Sequence, residues 1–257
     1  MPIVEIKDRK INCLTSAEPL EKGKRTILFV HGAGGNKNNW INQFDGLKGG
    51  FNVVVVELPG HGDSSPQGAN RVEQYAEDVA GVIDALVPAP PVVVGHSMGG
   101  AIAQTLALNF AEKVSALVLI GTGCRLRVLP SILDGILTNF EGTVAMINRY
   151  AFSKFTEEDV VQEGTSEMAK TQPSVIHGDF LACNRFDICD KLEGITHPVL
   201  ILCGEDDQLT PVKYSKYLLE HLPNATMKTF PKAGHMVMME KPAEVTEAIR
   251  GFVLGLP

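Results

Sequence analysis

The sequence predicts an α/β protein built on a doubly wound, mostly parallel β-sheet with an inserted helical cap. Short runs rich in β-branched residues alternate along the chain with segments of helical periodicity. Four of these runs are apolar throughout, as expected for parallel strands that are covered on both faces. Alternation of this kind implies right-handed crossovers between parallel strands. At 257 residues, the chain is long enough for one large domain or for a domain with an insertion.

Six of these runs are predicted as strands, and four segments are predicted as helices. The strands are residues 26–30, 52–56, 91–95, 116–120, 198–203 and 225–230. The helices are residues 71–86, 101–110, 212–222 and 244–254. Apolar side chains repeat every 3.6 residues in the first helix, and Pro242 lies near the start of the last one.

One long segment interrupts the alternation, because no strand is predicted between Gly121 and His197. Instead, apolar side chains spaced along residues 129–140 predict one helix with an apolar face. Thr156 precedes three acidic residues and is predicted as the N-cap of another helix, and Pro173 breaks the segment that follows.

This helical segment divides the chain into two predicted parts. We expect residues 1–123 and 192–257 to form the α/β core. Residues 124–191 are expected to form a helical cap over one edge of the sheet, and this segment is called the cap below.

Composition and charge exclude several classes of partner. Apolar residues make up 44% of the chain and charged residues 21%, which is typical of a globular protein. The net charge is −7 without a basic cluster, so nucleic acid and anionic membranes are not expected as partners. The start of the chain lacks the apolar centre of a signal peptide, and no apolar run is long enough to span a membrane. Five scattered cysteines predict reduced thiols and, with these features, a cytoplasmic location.

The stretch GHSMGG at residues 95–100 lies where a predicted strand meets a predicted helix. Small residues two before and two after Ser97 permit a tight turn that exposes the serine hydroxyl. The N-terminus of the following helix adds positive potential where an oxyanion would form. Because a serine alone is a weak nucleophile, it needs a base, and the base needs an orienting acid.

The required partners follow two later strands. A cluster of carboxylates in GEDDQLTP, at residues 204–211, comes after one strand, and His235 follows the final strand. Parallel strands deliver such groups to the same edge of the sheet. The chain order serine, acid, histidine therefore predicts a serine hydrolase, while the absence of glycine-rich phosphate motifs argues against a nucleotide site.

The chain resembles the α/β-hydrolase fold family over almost its whole length apart from the cap. The matching stretches are FVHGAGGN at 29–36, ELPGHGDS at 57–64, GHSMGG at 95–100, GEDDQLTP at 204–211 and AGHMVMMEKP at 233–242. The resemblance implies that Asp207, at the fourth place of a G-x-x-D-x-x-x-P pattern, is the acid rather than Asp206 or Glu205. The family commonly carries aspartate where this chain has Glu57, a position that supports loop geometry.

The resemblance also assigns the remaining site residues. It implies an oxyanion hole made by the backbone N–H groups of Ala33 and Met98, and it makes His31, His96 and His61 structural. It implies no cofactor and no metal. Part of the apolar face of residues 129–140 is expected to pack on the core and part to roof the pocket above Ser97, so at least one of Leu133, Leu137 and Phe140 is expected to influence acyl-chain preference.

The function expected from these residues is hydrolysis of a small carboxylic ester through an acyl-serine intermediate, with Ser97, His235 and Asp207 as the triad. Carbon–carbon bond hydrolases and lactonases of the same fold stay open as alternatives, as does a ligand-binding receptor with little turnover. His96 before the nucleophile is common in esterases, whereas the carbon–carbon hydrolases often carry asparagine there and an arginine in the cap. The oligomeric state and the physiological substrate stay open.

Overall fold

The computed structural model describes residues 2–257, and in that range it contains a sheet of eight strands in the order β1-β2-β4-β3-β5-β6-β7-β8. The strands are β1 (Ile3–Ile6), β2 (Arg9–Thr15), β3 (Thr26–Val30), β4 (Asn52–Val56), β5 (Val92–His96), β6 (Ala116–Ile120), β7 (Val199–Gly204) and β8 (Ala225–Phe230). Strand β2 is antiparallel to β1 and β4, and the other neighbouring pairs are parallel. The predicted fold class is confirmed.

Helices lie on both sides of this sheet. They are α1 (Ile41–Leu47), α2 (Val72–Leu86), α3 (Met98–Asn109), α4 (Pro130–Thr138), α5 (Phe140–Ala151), α6 (Glu158–Ala169), α7 (Pro173–Arg185), α8 (Val212–His221), α9 (Val237–Glu240) and α10 (Pro242–Gly255). The predicted core helices are present with boundaries shifted by a few residues.

The strand β3 shows why the sheet is covered on both faces. All five of its residues are buried, and successive side chains point to opposite faces of the sheet. Leu28 and Val30 pack in the cluster that contains residues of α2 and α3. Ile27 and Phe29 pack in the cluster that contains residues of α1 and α10. The continuous apolar run of β3 therefore packs in two hydrophobic cores, one on each face of the sheet.

The hairpin of β1 and β2 was missed by the sequence analysis. Its strands lie at one edge of the sheet and are only partly buried, with the burial of β1 alternating between exposed and buried residues. Val4 and Ile11, which are paired across the hairpin, turn inward and pack in the core. An edge hairpin rich in charged residues lacks the long apolar run that identified the other strands.

Residues 124–191 carry α4 to α7, which lie between β6 and β7 in the chain. Two expectations about these helices are wrong. Residues 129–140 do not form one helix, because α4 ends at Thr138 and Asn139 adopts a non-helical conformation before α5 begins. Thr156 is not an N-cap; the helix begins after Glu157, and the Thr156 hydroxyl donates instead to Glu240 near the end of the chain.

The expectation that all five cysteines are reduced is also wrong. Cys124 and Cys189 form a disulfide between residues 65 positions apart, with their Cα atoms separated by 4.9 Å. They meet because β6 and β7 are adjacent in the sheet, so the two ends of the cap emerge side by side. A cytoplasmic location therefore no longer follows from the cysteines.

Among the helices of residues 2–257, none has both the length and the apolar character needed to cross a bilayer.

Candidate active site

Ser97 lies on a sharp turn between β5 and α3. Its backbone has φ +53° and ψ −116°, a conformation outside the regions favoured by residues with a side chain. Gly95 and Gly99 make the turn possible, because a Cβ on Gly95 would lie 2.1 Å from the carbonyl oxygen of Gly99 and a Cβ on Gly99 would lie 2.2 Å from that of Val30. The strained turn raises the Ser97 hydroxyl above the edge of the sheet, as the local sequence predicted.

Besides the N–H groups of Gly100 and Ala101, which donate to its carbonyl oxygen from within α3, two hydrogen bonds from outside α3 hold the backbone of Ser97 in this conformation. Its N–H donates to the carbonyl oxygen of Ile120 at 2.9 Å, and its carbonyl oxygen accepts from the Thr122 hydroxyl at 2.8 Å. Both partners belong to the end of β6 or the turn that follows it. Met98 is the first residue of α3, so its N–H belongs to the unpaired donors at the helix N-terminus.

Asp207 and His235 form a buried pair at the ends of β7 and β8. The Nδ1 atom of His235 donates to Oδ2 of Asp207 at 2.9 Å. The other carboxylate oxygen, Oδ1, accepts from the backbone N–H groups of Leu209 and Thr210 at 2.9 and 2.8 Å, and the Thr210 hydroxyl donates to Oδ2 at 2.8 Å. Burial alone would raise the pKa of Asp207, but His235 and these donors hold it below its ordinary value. The carboxylate is therefore ionised and orients the ring.

The competing acid, Asp206, has a different partner. Its Oδ2 atom accepts from the hydroxyl of Ser153 in the cap at 2.6 Å. Within residues 2–257, the side chains hydrogen-bonded to the His235 ring are those of Asp207 and Thr210. The geometry therefore brings Asp207, and not Asp206, to the histidine.

The loop that carries His235 is anchored by the cap and by Glu240. The carbonyl oxygen of Ala151, the last residue of α5, accepts from the N–H groups of His235 and Met236 at 2.7 and 3.2 Å. Glu240 accepts from the N–H of Gly234 at 2.8 Å and from that of Ser153 at 2.9 Å. Burial raises the pKa of Glu240. These bonds make the cap part of the support for His235.

The segment His31–Asn36, called the glycine loop below, follows β3 and approaches Ser97 closely. A Cβ on Gly32 would lie 2.9 Å from Nδ1 of His96 and 3.1 Å from Cβ of Ser97. The Gly32 carbonyl oxygen accepts from Nδ1 of His31 at 2.8 Å and from the N–H of Gly35 at 3.1 Å. This peptide group also contains the N–H of Ala33, so its orientation is fixed beside the serine.

His31 and His96 are fully buried and neutral. Burial, and to a smaller extent the neighbouring histidines, lower the pKa of each to about 3. The Nε2 atom of His31 accepts from the N–H of Leu58 at 3.1 Å, which leaves its Nδ1 as the donor to Gly32. His96 contacts the carbonyl oxygen of His235 through Nε2 at 3.0 Å. Both rings support loops around Ser97.

Glu57, the departure from the family pattern, is buried and holds the loop that follows β4. Its carboxylate accepts from Lys37 at 3.0 Å, from Asn12 at 2.7 Å and from the N–H of Asp63 at 3.1 Å. These contacts agree with a role in loop geometry.

A cavity of about 230 Å³ opens above Ser97. The predicted residues Ser97, His235 and Ala33 line it, whereas Met98 is buried below the turn and Asp207 is buried behind the histidine. The cap supplies much of the opposite wall, with apolar side chains that include Leu126, Val128, Leu129, Ile132, Ile147, Met168 and Phe180.

The expected roof residues are only partly correct. Leu129 and Ile132 line the cavity, but Leu133, Leu137 and Phe140 do not. Leu137 is 60% exposed, and Phe140 packs against the cluster of apolar residues inside the cap. Phe140 begins α5, beyond the break at Asn139, and therefore does not share the face of α4. Leu133 and Leu137 belong to α4 with Ile132 but lie on a part of its surface that does not meet the cavity.

A second buried histidine–carboxylate pair, formed by His61 and Asp179 of α7, was not predicted from the sequence. The Nε2 atom of His61 lies 2.9 Å from Oδ2 of Asp179, across 118 positions in the chain, and both side chains have no exposed surface. The pattern Ile176–Asp179–Phe180 places a carboxylate on the inward face of a helix. This pattern is the signal in the sequence that could have indicated a buried role for Asp179.

The chain belongs to the alpha/beta hydrolase fold family, whose family model matches residues 25–242. It is 32% identical to a thermophilic esterase of known structure, with a TM-score of 0.87 and coverage of 99% of this chain and 97% of that one. The chain is thus a hydrolase of this fold.

Two curated relatives show the range of the similarity. A dihydrolipoyllysine-residue acetyltransferase component of an acetoin cleaving system from Cupriavidus necator is 30% identical over 242 residues, which cover 85% of this chain but only 61% of the relative. A 2-hydroxy-6-oxononadienedioate/2-hydroxy-6-oxononatrienedioate hydrolase from Paraburkholderia phymatum is 28% identical over 252 residues, covering 90% and 88% of the two chains. Other relatives are a methyl ester esterase and a lactone-degrading enzyme.

Proposed function

We propose that the protein hydrolyses small carboxylic esters through an acyl-serine intermediate. The observation that carries the proposal is the Asp207–His235 pair, whose ring lines the same cavity as Ser97, with apolar walls supplied by the cap. The nearly complete overlap with an esterase of 32% identity supports the choice of an ester substrate.

In the proposed reaction, the hydroxyl oxygen of Ser97 attacks the carbonyl carbon of the ester. The Nε2 atom of His235 takes the hydroxyl proton and later returns it to the leaving alcohol, while Asp207 accepts from Nδ1 and stabilises the charged ring. The N–H groups of Ala33 and Met98 donate to the oxyanion. Water then repeats the sequence on the acyl-serine and releases the acid.

The electrostatics of the site support these roles. Asp207 is ionised and bonded only by donors, so a positive charge that forms on His235 gains a fixed partner. The N–H of Met98 lies at the N-terminus of α3, where helix geometry leaves it free to donate. These preformed groups need little rearrangement when charge develops in the transition state.

The experiment that tests the proposal compares Ser97→Ala with the wild-type protein. Removal of the nucleophile should lower kcat for a chromogenic acetate ester by about four to six orders of magnitude and should abolish labelling by a fluorophosphonate. Ser115→Ala, at an exposed position on the surface, is the matched control and should retain both. Turnover by a folded Ser97→Ala protein would contradict the proposal, and a wild-type protein that binds esters without turnover would favour a receptor.

Carbon–carbon bond hydrolysis is the second candidate, because Arg127 of the cap lines the cavity and could meet an anionic substrate. We place it second since the guanidinium already donates to the carbonyl oxygen of Asn184 at 2.8 Å and to Asp187 at 3.1 Å. Faster turnover of a vinylogous diketone acid than of any ester, with loss of that preference in Arg127→Gln, would reverse the order. A panel of lactones tests the remaining alternative in the same assay.

A further inference from the structure

The glycine loop is held on both sides of Ala33, and one of the two anchors comes from the cap. On one side, the peptide group that joins Gly32 to Ala33 is held at its oxygen by His31 and Gly35. On the other side, the next peptide group is held at the N–H of Gly34, which donates to Oδ2 of Asp179 at 2.9 Å. Fixing both peptide planes fixes the two backbone torsions of Ala33.

Asp179 is itself firmly positioned. Its side chain has no exposed surface, its Oδ1 atom accepts from the Tyr75 hydroxyl at 2.6 Å, and its Oδ2 atom is shared by Gly34 and His61. A buried carboxylate with charge-assisted donors on both oxygens is a rigid acceptor, stronger than a neutral oxygen would be.

His61 lies between the two anchors of the glycine loop, since it contacts both Asp179 and His31. Its Nε2 atom faces the Asp179 carboxylate and its Nδ1 atom faces the carbonyl oxygen of Pro59 at 3.2 Å, so both ring nitrogens meet acceptors and the ring carries two protons. Burial would lower the pKa of His61, but the charge of Asp179 raises it above its ordinary value. The ring stands edge-on to His31, with centroids 4.7 Å apart. Its charge helps keep His31 neutral, with Nδ1 as the donor to Gly32.

We infer that Asp179 is a positioning residue for the oxyanion hole, through which the cap sets the direction of the Ala33 N–H. Asp179 does not touch the substrate and acts through Gly34. This inference rests on the proposed function, because it assigns Asp179 to the transition state of that reaction. It makes the seating of α7 against the glycine loop a condition for fast turnover and leaves ground-state binding in the cavity almost unaffected.

The experiment measures kcat and KM separately for an acetate ester in three variants. Asp179→Ala removes the acceptor of Gly34 and should lower kcat about 10- to 100-fold, with KM within about threefold of wild type, since one oxyanion donor is worth about 100- to 1000-fold when it is deleted outright. Asp179→Asn should recover most of this loss, because an amide oxygen can still accept from Gly34. Tyr75→Phe is the matched control, since it removes a buried bond to the same carboxylate but leaves Gly34 bonded; its kcat should stay within about twofold.

The outcomes separate positioning from folding. A folded Asp179→Ala protein with wild-type kcat would overturn the inference, and so would a Tyr75→Phe protein that loses as much kcat as Asp179→Ala. If Asp179→Ala does not fold, the double variant Asp179→Leu with His61→Leu replaces the ion pair by apolar side chains and should show the same fall in kcat. Failure of both to fold would also overturn it, because the role would then be structural. Wild-type turnover and Ser97 labelling are measured first, so failure of the proposed function shows before any Asp179 variant is made.

Discussion

Within residues 2–257, the protein contains two buried histidine–carboxylate pairs with the same separation and very different surroundings. His235 and Asp207 lie 2.9 Å apart at the carboxyl edge of the sheet, and His61 and Asp179 lie 2.9 Å apart between the core and the cap. In the first pair the ring uses Nδ1 and lines the cavity above Ser97. In the second pair both ring nitrogens face protein acceptors, and the ring lines no part of that cavity.

The difference shows what a histidine–carboxylate pair needs in order to act as a base. The distance between ring and carboxylate does not distinguish the pairs. What distinguishes them is whether a second nitrogen faces a space that substrate can enter. A closed ring such as that of His61 holds its protons and contributes charge and geometry, whereas an open ring can exchange a proton with a reacting group.

The sharpest test of this comparison is a substitution of Asp207, the acid of the pair whose ring lines the cavity. This pair is called the open pair below, and the pair of His61 and Asp179 is called the closed pair. Asp207→Asn should lower kcat by about 10⁴, because an amide can stabilise the wrong ring tautomer and offers no charge to the protonated ring. Asp206→Asn is the matched control at the adjacent position; it weakens only a bond to Ser153 and should lower kcat less than about tenfold. Steady-state kinetics with an acetate ester measure both, and the opposite ranking would show that Asp206 is the acid.

The pH dependence of stability tests the closed pair. His31 and His96 have pKa values lowered to about 3, so their contribution to stability is present above about pH 6.5 and is lost as the pH falls towards 3. The pKa of His61 is raised, so its contribution has the opposite sign: it is present below about pH 6.5 and is lost as the pH rises through the raised value.

Urea unfolding of wild type and His61→Gln at several pH values measures this contrast. Both proteins should lose unfolding free energy on acidification, by about 1.4 kcal/mol per pH unit for each proton taken up. The difference between them should be largest below pH 6.5 and should shrink at alkaline pH. A difference that grows with pH would mean that the folded protein holds His61 neutral.

The smallest expected effect is on acyl-chain preference, and it concerns the side chains of α4 that line the cavity. Ile132 lines the cavity and Leu137 does not, although both belong to α4. Ile132→Ala should change kcat/KM for octanoate esters relative to acetate esters by about 1–3 kcal/mol, or roughly 5- to 150-fold. Leu137→Ala is the control and should leave the chain-length profile unchanged. Equal scaling of all chain lengths by Ile132→Ala would show that this wall does not contact the acyl group.

The core and the sharp turn at Ser97 could be predicted because their determinants are local in the sequence. The strand around Val30 is a continuous apolar run, and the turn at Ser97 depends on glycines two positions away. His235 and a carboxylate near Asp207 were predicted because each lies in the loop after a strand, and parallel strands bring such loops to one edge. The choice of Asp207 among the neighbouring acids came from the family resemblance. In these cases, residues that are close in the sequence determine the local structure.

The contacts of the cap could not be predicted in this way. His61 and Asp179 are 118 positions apart, and the disulfide joins residues 65 positions apart. Each contact depends on how the helices of the cap sit on the core, which periodicity does not determine. The break at Asn139 has the same origin, since the apolar pattern continues through a point where the backbone leaves the helix.

The carbonyl oxygen of Ala151 has a consequence for protein engineering and for the evolution of this fold by exchange of segments. It belongs to the cap, yet it accepts from the backbone of His235. A chimera that replaces residues 124–191 with a segment of different length would remove this acceptor, whatever pocket the new segment offered. His235 would then lose a backbone hydrogen bond as a side effect of the change in the pocket. Transplants should therefore keep the end of α5 with the recipient chain and exchange only the helices on either side of it.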